Sequence, residues 1–142
     1  MPPTSTRRFG VASASLAYFG LVFGIGFILG SIRVPVLVPQ IGVRWAELLE
    51  APIMAIATYF AAILVVRRFQ VPSSVAHRMV VGLFALSLLV CAELLLAALL
   101  QGLTPADYLA SRDPVSGPVF FALLGLFAAM PCLLLFRRDD KP

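Results

Sequence analysis

Four ionisable side chains of this sequence stand among apolar residues, where they could do chemistry together. Glu93 lies inside the otherwise uncharged run 79–100, and an ionisable side chain in such a run is costly unless it has a partner or a function. Glu47 and Glu50 stand at the start of a second apolar run, and Arg33 closes a third. Carboxylates and a guanidinium at one depth can form ion pairs, bind a cation or exchange a proton.

The composition places these residues in a membrane protein. Hydrophobic residues make up 61% of the 142 residues and charged residues 13%, about half of the ~25% usual in soluble domains, and the mean hydropathy is +0.98. A helix needs about 20 apolar residues to cross the hydrocarbon core, so four apolar blocks predict four transmembrane helices. The predicted all-α polytopic membrane domain covers residues 1–142 as two helical hairpins, with spans at 11–32, 47–66, 79–100 and 118–136.

The basic residues predict the orientation of these spans. Eight of the eleven Lys and Arg residues fall on one side, and positively charged loops stay in the cytoplasm. Both termini are therefore expected to be cytoplasmic. Because the arginine pairs flank spans, we interpret them as ordinary anchors to the lipid bilayer and not as a nucleic-acid patch or a specific-lipid patch. The eight residues are Arg7, Arg8, Arg67, Arg68, Arg78, Arg137, Arg138 and Lys141.

This orientation predicts that the four ionisable side chains converge. Glu93 is 14 residues beyond Met79, which is about 21 Å along a helix that enters from the cytoplasm and places Glu93 in the outer half of the bilayer. Glu47 and Glu50 begin a span that runs the other way, and Arg33 ends the first span at the same side. The sequence therefore predicts a polar cluster of Arg33, Glu47, Glu50 and Glu93, with Arg44 and Arg112 within reach.

The first span carries small residues at helix-packing spacing. Gly20 and Gly24 continue a face that begins with Ser13, and Gly26 and Gly30 form a second small-xxx-small pair. Such faces let helix backbones approach closely in a membrane. The expected partner is another span of the same chain, and the alternative is a homo-oligomer or another membrane protein.

The two outer connections are predicted to differ. Pro35 and Pro39 each remove a backbone donor, so residues 31–42 are expected to form an extended or re-entrant loop, with a helix restarting near Gly42. In the second connection, Thr104 followed by Pro105 has the pattern of a helix start. A short helix lying at the membrane interface is expected there.

Five segments of the chain carry a resemblance: Arg33-Val34 with Pro39, Ala46 to Met54, Arg67 to Phe69, Asp107 to Leu109, and Arg112 to Gly117. They resemble segments of a group of small four-span bacterial membrane proteins of uncharacterised function. The resemblance implies a location in the bacterial inner membrane and supplies no activity. The small multidrug transporters also have four spans and an intramembrane Glu, but theirs lies in the first span, which has no acid here.

Three interpretations of the polar cluster follow from the residues. It can be an ion-pair cluster that holds spans together, a proton- or cation-coupled site in which Glu93 is the excess carboxylate, or a catalytic carboxylate pair. The sequence has no nucleophile with a base, no metal-ligand cluster and no phosphate-binding Gly loop, so no enzyme activity and no cofactor are expected. The predicted function is a non-enzymatic accessory, scaffold or structural subunit, with a small transporter or channel as the alternative.

Overall fold

The computed structural model describes residues 4–138, with side chains for 10–137. The described chain is all-helical, as predicted. The side chains of Arg7, Arg8 and Arg138, and the whole of Lys141, lie outside the described part. The helices are α1 (Thr4–Ile32), a π-helical turn (Arg33–Leu37), α2 (Val38–Arg68), α3 (Val75–Gln101), α4 (Pro105–Ala110) and α5 (Ser116–Arg138).

Three helical stretches are long and apolar enough to cross a membrane, judged by length and composition: Gly10–Arg68, Val75–Gln101 and Ser116–Arg137. The bundle surface has the apolar character that such helices need. Trp45 and Phe60 are each 62% exposed, whereas the core is built largely from small residues such as Ala14, Ala61 and Ala85. Large apolar side chains on the outside and small ones inside match a lipid solvent, because lipid tails are as apolar as leucine.

The first of these stretches folds back on itself at Gly42. Gly42 has φ 84° and ψ 165°, a conformation that glycine adopts without steric cost. On either side of it the chain pairs in antiparallel fashion. Arg33 forms an ion pair with Glu50, and Met54 is the nearest side chain to Gly26. The chain therefore reverses its direction at Gly42, the residue near which the sequence predicts a helix to restart.

The expected extended loop at 31–42 is wrong, because helical geometry continues to the Gly42 break. Pro35 lies in the π-helical turn, whose wider hydrogen bonding is seen where Val38 N–H donates to the carbonyl of Arg33. Pro39 lies in the first turn of α2, where a backbone N–H has no acceptor within the helix anyway. Neither proline therefore breaks the helix.

The four long helices form a bundle in which consecutive elements are not always neighbours. α1 packs against α2 and α3, and α5 packs against the same two helices. Among the described residues, the backbones of α2 and α3 do not come within 8 Å of each other (Cα to Cα), although these helices follow each other in the chain. α1 and α5 are joined across the core by Tyr18, whose ring stacks on Phe127 at 4.3 Å and whose hydroxyl donates to the Phe127 carbonyl at 2.6 Å.

The glycines of α1 do not pack as expected. A β-carbon added at Gly20 or Gly24 would meet no other atom within 4 Å, so the expectation that these two glycines pack within the chain is wrong in the described part. Gly26 does face α2, at the Met54 methyl group, and Gly30 lies near the guanidinium of Arg33. Among the described glycines, the tightest contact with another helix is at one that the sequence did not single out, Gly82 on α3, which lies against the Ala128 carbonyl of α5.

One arginine assigned to the membrane surface is buried. Arg78 is 2% exposed and donates to the carbonyl oxygens of Val71, Pro72 and Pro131 at 3.0–3.4 Å. The Nδ1 atom of the neighbouring His77 is also buried and has no hydrogen-bond partner among the described residues. We call this side of the bundle the Arg78 end and the opposite side the Gly42 end.

Candidate functional site

A polar cavity of about 150 Å³ lies within the bundle at the Gly42 end. Its lining includes all four residues of the predicted polar cluster, Arg33, Glu47, Glu50 and Glu93. The rest of the lining is largely apolar, and α5 supplies the largest share of it. The largest apolar side chains are Phe23, Met54, Leu89, Phe120 and Phe127. The cavity lining is therefore amphipathic.

Arg33 and Glu50 form the shortest ion pair of the site. Nη1 of Arg33 lies 2.8 Å from Oε2 of Glu50, and the two side chains are 24% and 15% exposed. Arg33 begins the π-helical turn, and Glu50 lies on α2 beyond the Gly42 break. The pair therefore bridges the fold-back and joins the two limbs of the first helical stretch.

Glu47 joins α2 to α5 and to the connection that precedes α5. Its Oε2 accepts a hydrogen bond of 2.6 Å from the Ser116 hydroxyl, and its Oε1 lies 3.6 Å from Nη1 of Arg112. Ser116 is buried at the first position of α5, and the Glu47 side chain is 16% exposed. Glu47 therefore has partners on two elements that are about seventy residues away in the sequence.

Glu93 has a tyrosine as its hydrogen-bond partner. The hydroxyl of Tyr108 donates to Oε2 of Glu93 at 3.4 Å, and Arg112 in turn donates to that hydroxyl. The Arg112 guanidinium lies 4.5 Å from the Tyr108 ring centroid and 3.9 Å from that of Phe120. This stacking fixes the guanidinium between two aromatic faces. Burial and the nearby Glu93 carboxylate raise the pKa of Tyr108, which keeps its hydroxyl protonated as a donor.

The short helix α4 positions Tyr108. Thr104 caps it: the threonine hydroxyl accepts from Asp107 N–H at 3.2 Å, and the Asp107 carboxylate accepts from Thr104 N–H at 3.4 Å. Thr104 is therefore the N-cap and Pro105 the first residue, as the sequence predicts. α3 ends just before, at Gly102 in the left-handed conformation (φ 65°), which terminates the helix and turns the chain towards α4.

Asp113 fixes the start of α5 outside the cavity. Its Oδ2 accepts from the backbone N–H groups of Val115 and Ser116 at 2.8 and 2.9 Å, and Arg44 Nε lies 3.1 Å away. These hydrogen bonds, led by the one from Ser116, lower the pKa of the Asp113 carboxyl to about 2. Asp113 thereby holds Ser116 where the Ser116 hydroxyl reaches Glu47.

The charge balance of the cavity decides what the arrangement can do. Three carboxylates (Glu47, Glu50 and Glu93) face two guanidinium groups (Arg33 and Arg112). Each arginine has one carboxylate partner, whereas Glu93 meets a neutral hydroxyl. The site is thus equipped to hold helices together, and it carries one excess carboxylate that can accept a proton or a cation. Within the searched residues, no group of three His, Cys, Asp or Glu side chains is arranged to hold a metal ion.

Sequence reasoning missed two of the polar partners. Ser116 and Tyr108 take part because the chain between α3 and α5 brings them beside Glu47 and Glu93. The signals available were the helix start at Thr104 and the acid-serine spacing from Asp113 to Ser116, which is typical of a capped helix. Comparisons of the chain with protein-family models, with curated proteins and with solved structures find no match.

Proposed function

We propose that the protein is a four-span integral membrane protein of the bacterial inner membrane, with both termini in the cytoplasm, that serves as a non-enzymatic accessory or scaffold subunit. The fold-back at Gly42 supports counting the 59-residue stretch Gly10–Arg68 as two spans, since a straight helix of that length would measure about 90 Å. In this arrangement α4 lies at the outer interface and the Arg78 end faces the cytoplasm.

The observation that carries the accessory function is the open glycine face of α1. Gly20 is exposed, and neither it nor Gly24 has any atom of another helix within 4 Å of a β-carbon position. Small residues favour helix association in membranes because they let two backbones come close. A Gly-xxx-Gly pair left unused within the chain is therefore available to a second helix.

The polar cluster supports the same function, because its bonds join separate elements. Arg33 with Glu50 fastens the π-helical turn to α2, Glu47 with Ser116 fastens α2 to α5, and Tyr108 with Glu93 fastens α4 to α3. A rigid bundle with an open packing face suits a subunit that supports a partner.

Purification in mild detergent from the native membrane tests this function. We expect the wild-type chain to be recovered in a complex above monomer mass, and the Gly20→Leu/Gly24→Leu variant to be recovered as a monomer. Gly125→Leu is the matched control, because Gly125 on α5 is also exposed and also has no neighbour within 4 Å. Recovery of the wild-type chain alone, at monomer mass, would refute the accessory function.

A second function, a small proton- or cation-coupled transporter or channel, is favoured by the cavity itself. The space of about 150 Å³ is lined by three carboxylates and only two guanidinium groups. An excess carboxylate inside a membrane bundle is the usual mark of an ion or proton pathway. In this function Glu93 carries the exchanged proton or cation, and Tyr108 orients its carboxylate.

Flux measurements in proteoliposomes test the transport function. We expect Glu93→Gln to abolish pH-dependent flux while leaving expression near the wild-type level. Glu93→Asp is the control, because it keeps an ionisable carboxyl group at the same position of the cavity lining. Wild-type proteoliposomes that carry no flux of protons, alkali cations or organic cations would rule the transporter out.

A further inference from the structure

A wide cleft of about 1110 Å³ lies at the Arg78 end, far from the polar cavity. It is bounded by α2, by the 69–74 connection and by the last turns of α5. Its walls combine cationic, aromatic and aliphatic side chains. Those that matter here are Tyr59, Phe60, Ile63, Arg67, Leu134 and Arg137.

Two arginines on the cleft walls have N–H groups that are available as hydrogen-bond donors. Arg67 and Arg137 are both exposed, and within residues 10–137 neither lies within ion-pair distance of a carboxylate. The Arg137 guanidinium lies 5.3 Å from the centroid of the Tyr59 ring. Stacking on an aromatic face positions a guanidinium and leaves its in-plane N–H groups pointing outwards, where they suit an anion.

Tyr59 also lines the cleft and carries a hydroxyl group that can donate a hydrogen bond. Its hydroxyl oxygen is buried and has no hydrogen-bond partner among the described residues. A buried hydroxyl without a partner is unfavourable, because it has left water and gained nothing in exchange. An acceptor oxygen of a bound anion would satisfy it.

Arg78 keeps the cleft in shape. It lines the cleft and donates to the carbonyls of Val71 and Pro72 in the connection and of Pro131 on α5. These bonds tie the connection to α5 across the space between them. The cleft is therefore held open by a buried arginine and not by loose loop packing.

We propose that this cleft binds an anionic phospholipid, whose phosphate accepts hydrogen bonds from Arg67, Arg137 and the Tyr59 hydroxyl. Arginine pairs with phosphate through parallel N–H bonds, and basic pockets between membrane helices are suited to lipid headgroups. Phe60, Ile63 and Leu134 offer the acyl chain an apolar wall beside the arginines. This wall favours a lipid over a free phosphate ion, which would gain nothing from it. The binding depends on neither of the functions proposed above.

Native mass spectrometry of the full chain in mild detergent tests the proposal, by titration with phosphatidylglycerol and, in parallel, with phosphatidylcholine. We expect preferential retention of phosphatidylglycerol. Loss of one arginine near a lipid phosphate weakens binding about fivefold, so Arg67→Gln/Arg137→Gln should weaken it about thirtyfold. Tyr59→Phe keeps the ring under Arg137, removes the hydroxyl and should weaken it about fivefold.

Arg68→Gln is the matched control, because Arg68 carries the same charge one residue away and does not line the cleft. Retention should change less than twofold in this variant. An equal loss in Arg68→Gln and Arg67→Gln would overturn the proposal, since the attraction would then come from the basic surface as a whole. Competition by inorganic phosphate at the lipid's own concentration would also overturn it, as would unchanged retention in Tyr59→Phe. The tyrosine variant keeps the test decisive even if the double variant does not fold.

Discussion

Gly82 on α3 lies directly against the backbone carbonyl of Ala128 on α5, and a β-carbon at position 82 would overlap that oxygen. The obstructing atom belongs to the backbone of a packed helix, so it cannot rotate away as a side chain does. α3 and α5 are therefore held at a separation that only glycine allows.

Gly82→Ala is expected to destabilise the bundle by about 3 kcal/mol, because two helices must move apart to admit one methyl group. The free energy of unfolding in mixed detergent micelles measures this. Gly125→Ala on α5 is the control, since its β-carbon would meet no atom within 4 Å. Equal stability of the two variants would show that α3 and α5 do not approach this closely.

The ion pair of Arg33 and Glu50 is expected to contribute measurably to stability. Both side chains are less than a quarter exposed, so Glu50→Gln should cost about 2 kcal/mol, between the values for exposed and buried pairs. A double-mutant cycle with Arg33→Gln isolates the coupling between the two side chains. Additive losses in the two single variants would mean that the pair contributes nothing as a pair.

Arg78 is expected to resist replacement by lysine although the charge is kept. A single ammonium group cannot reach carbonyls in both the 69–74 connection and α5, so Arg78→Lys should lower the free energy of unfolding by about 2 kcal/mol. Arg68 is an exposed arginine, and Arg68→Lys should change the free energy of unfolding by less than about 0.5 kcal/mol. Similar losses in both variants would place Arg78 at the surface.

The Asp113 carboxylate is expected to stabilise the start of α5 in a pH-dependent way. The folded-state pKa of its carboxyl is depressed from 3.8 to about 2, so its stabilising effect is present above about pH 4 and disappears as the pH falls through about 2. Asp113→Asn should therefore lower the thermal midpoint at neutral pH, and the difference from wild type should vanish near pH 2. Thermal unfolding followed by circular dichroism across this range measures both effects. A difference that persists near pH 2 would exclude the carboxylate as its source.

The sequence was sufficient for features that depend on local patterns. Runs of apolar residues predicted an all-helical chain, and Thr104 with Pro105 predicted a capped helix. The four cluster residues were named because charges in apolar runs are conspicuous, and the structure puts all four on one cavity. Periodicity and hydropathy carry this information because each depends only on neighbours along the chain.

Features that depend on which helix faces pack together could not be predicted from the sequence. Gly20 and Gly24 had the ideal packing pattern, yet Gly82 makes the close approach, because the choice depends on which face meets α5. Arg78 had the position of a surface anchor and proved to be buried, because its acceptors include a carbonyl on a distant helix. Pro35 and Pro39 were expected to break the helix. Instead, Pro35 lies in a π-helical turn and Pro39 lies in the first turn of α2.

The diagonal placement of α2 and α3 has a consequence for biosynthesis. A nascent chain that has emerged only through α3 contains two consecutive helices whose backbones do not approach each other; α1 packs against both, but their second shared neighbour, α5, has not yet been made. Arg78 reaches the Pro131 carbonyl only after 53 further residues have been added. α5 is thus the closing element of assembly, and a chain truncated before α5 has an arginine that still lacks this acceptor.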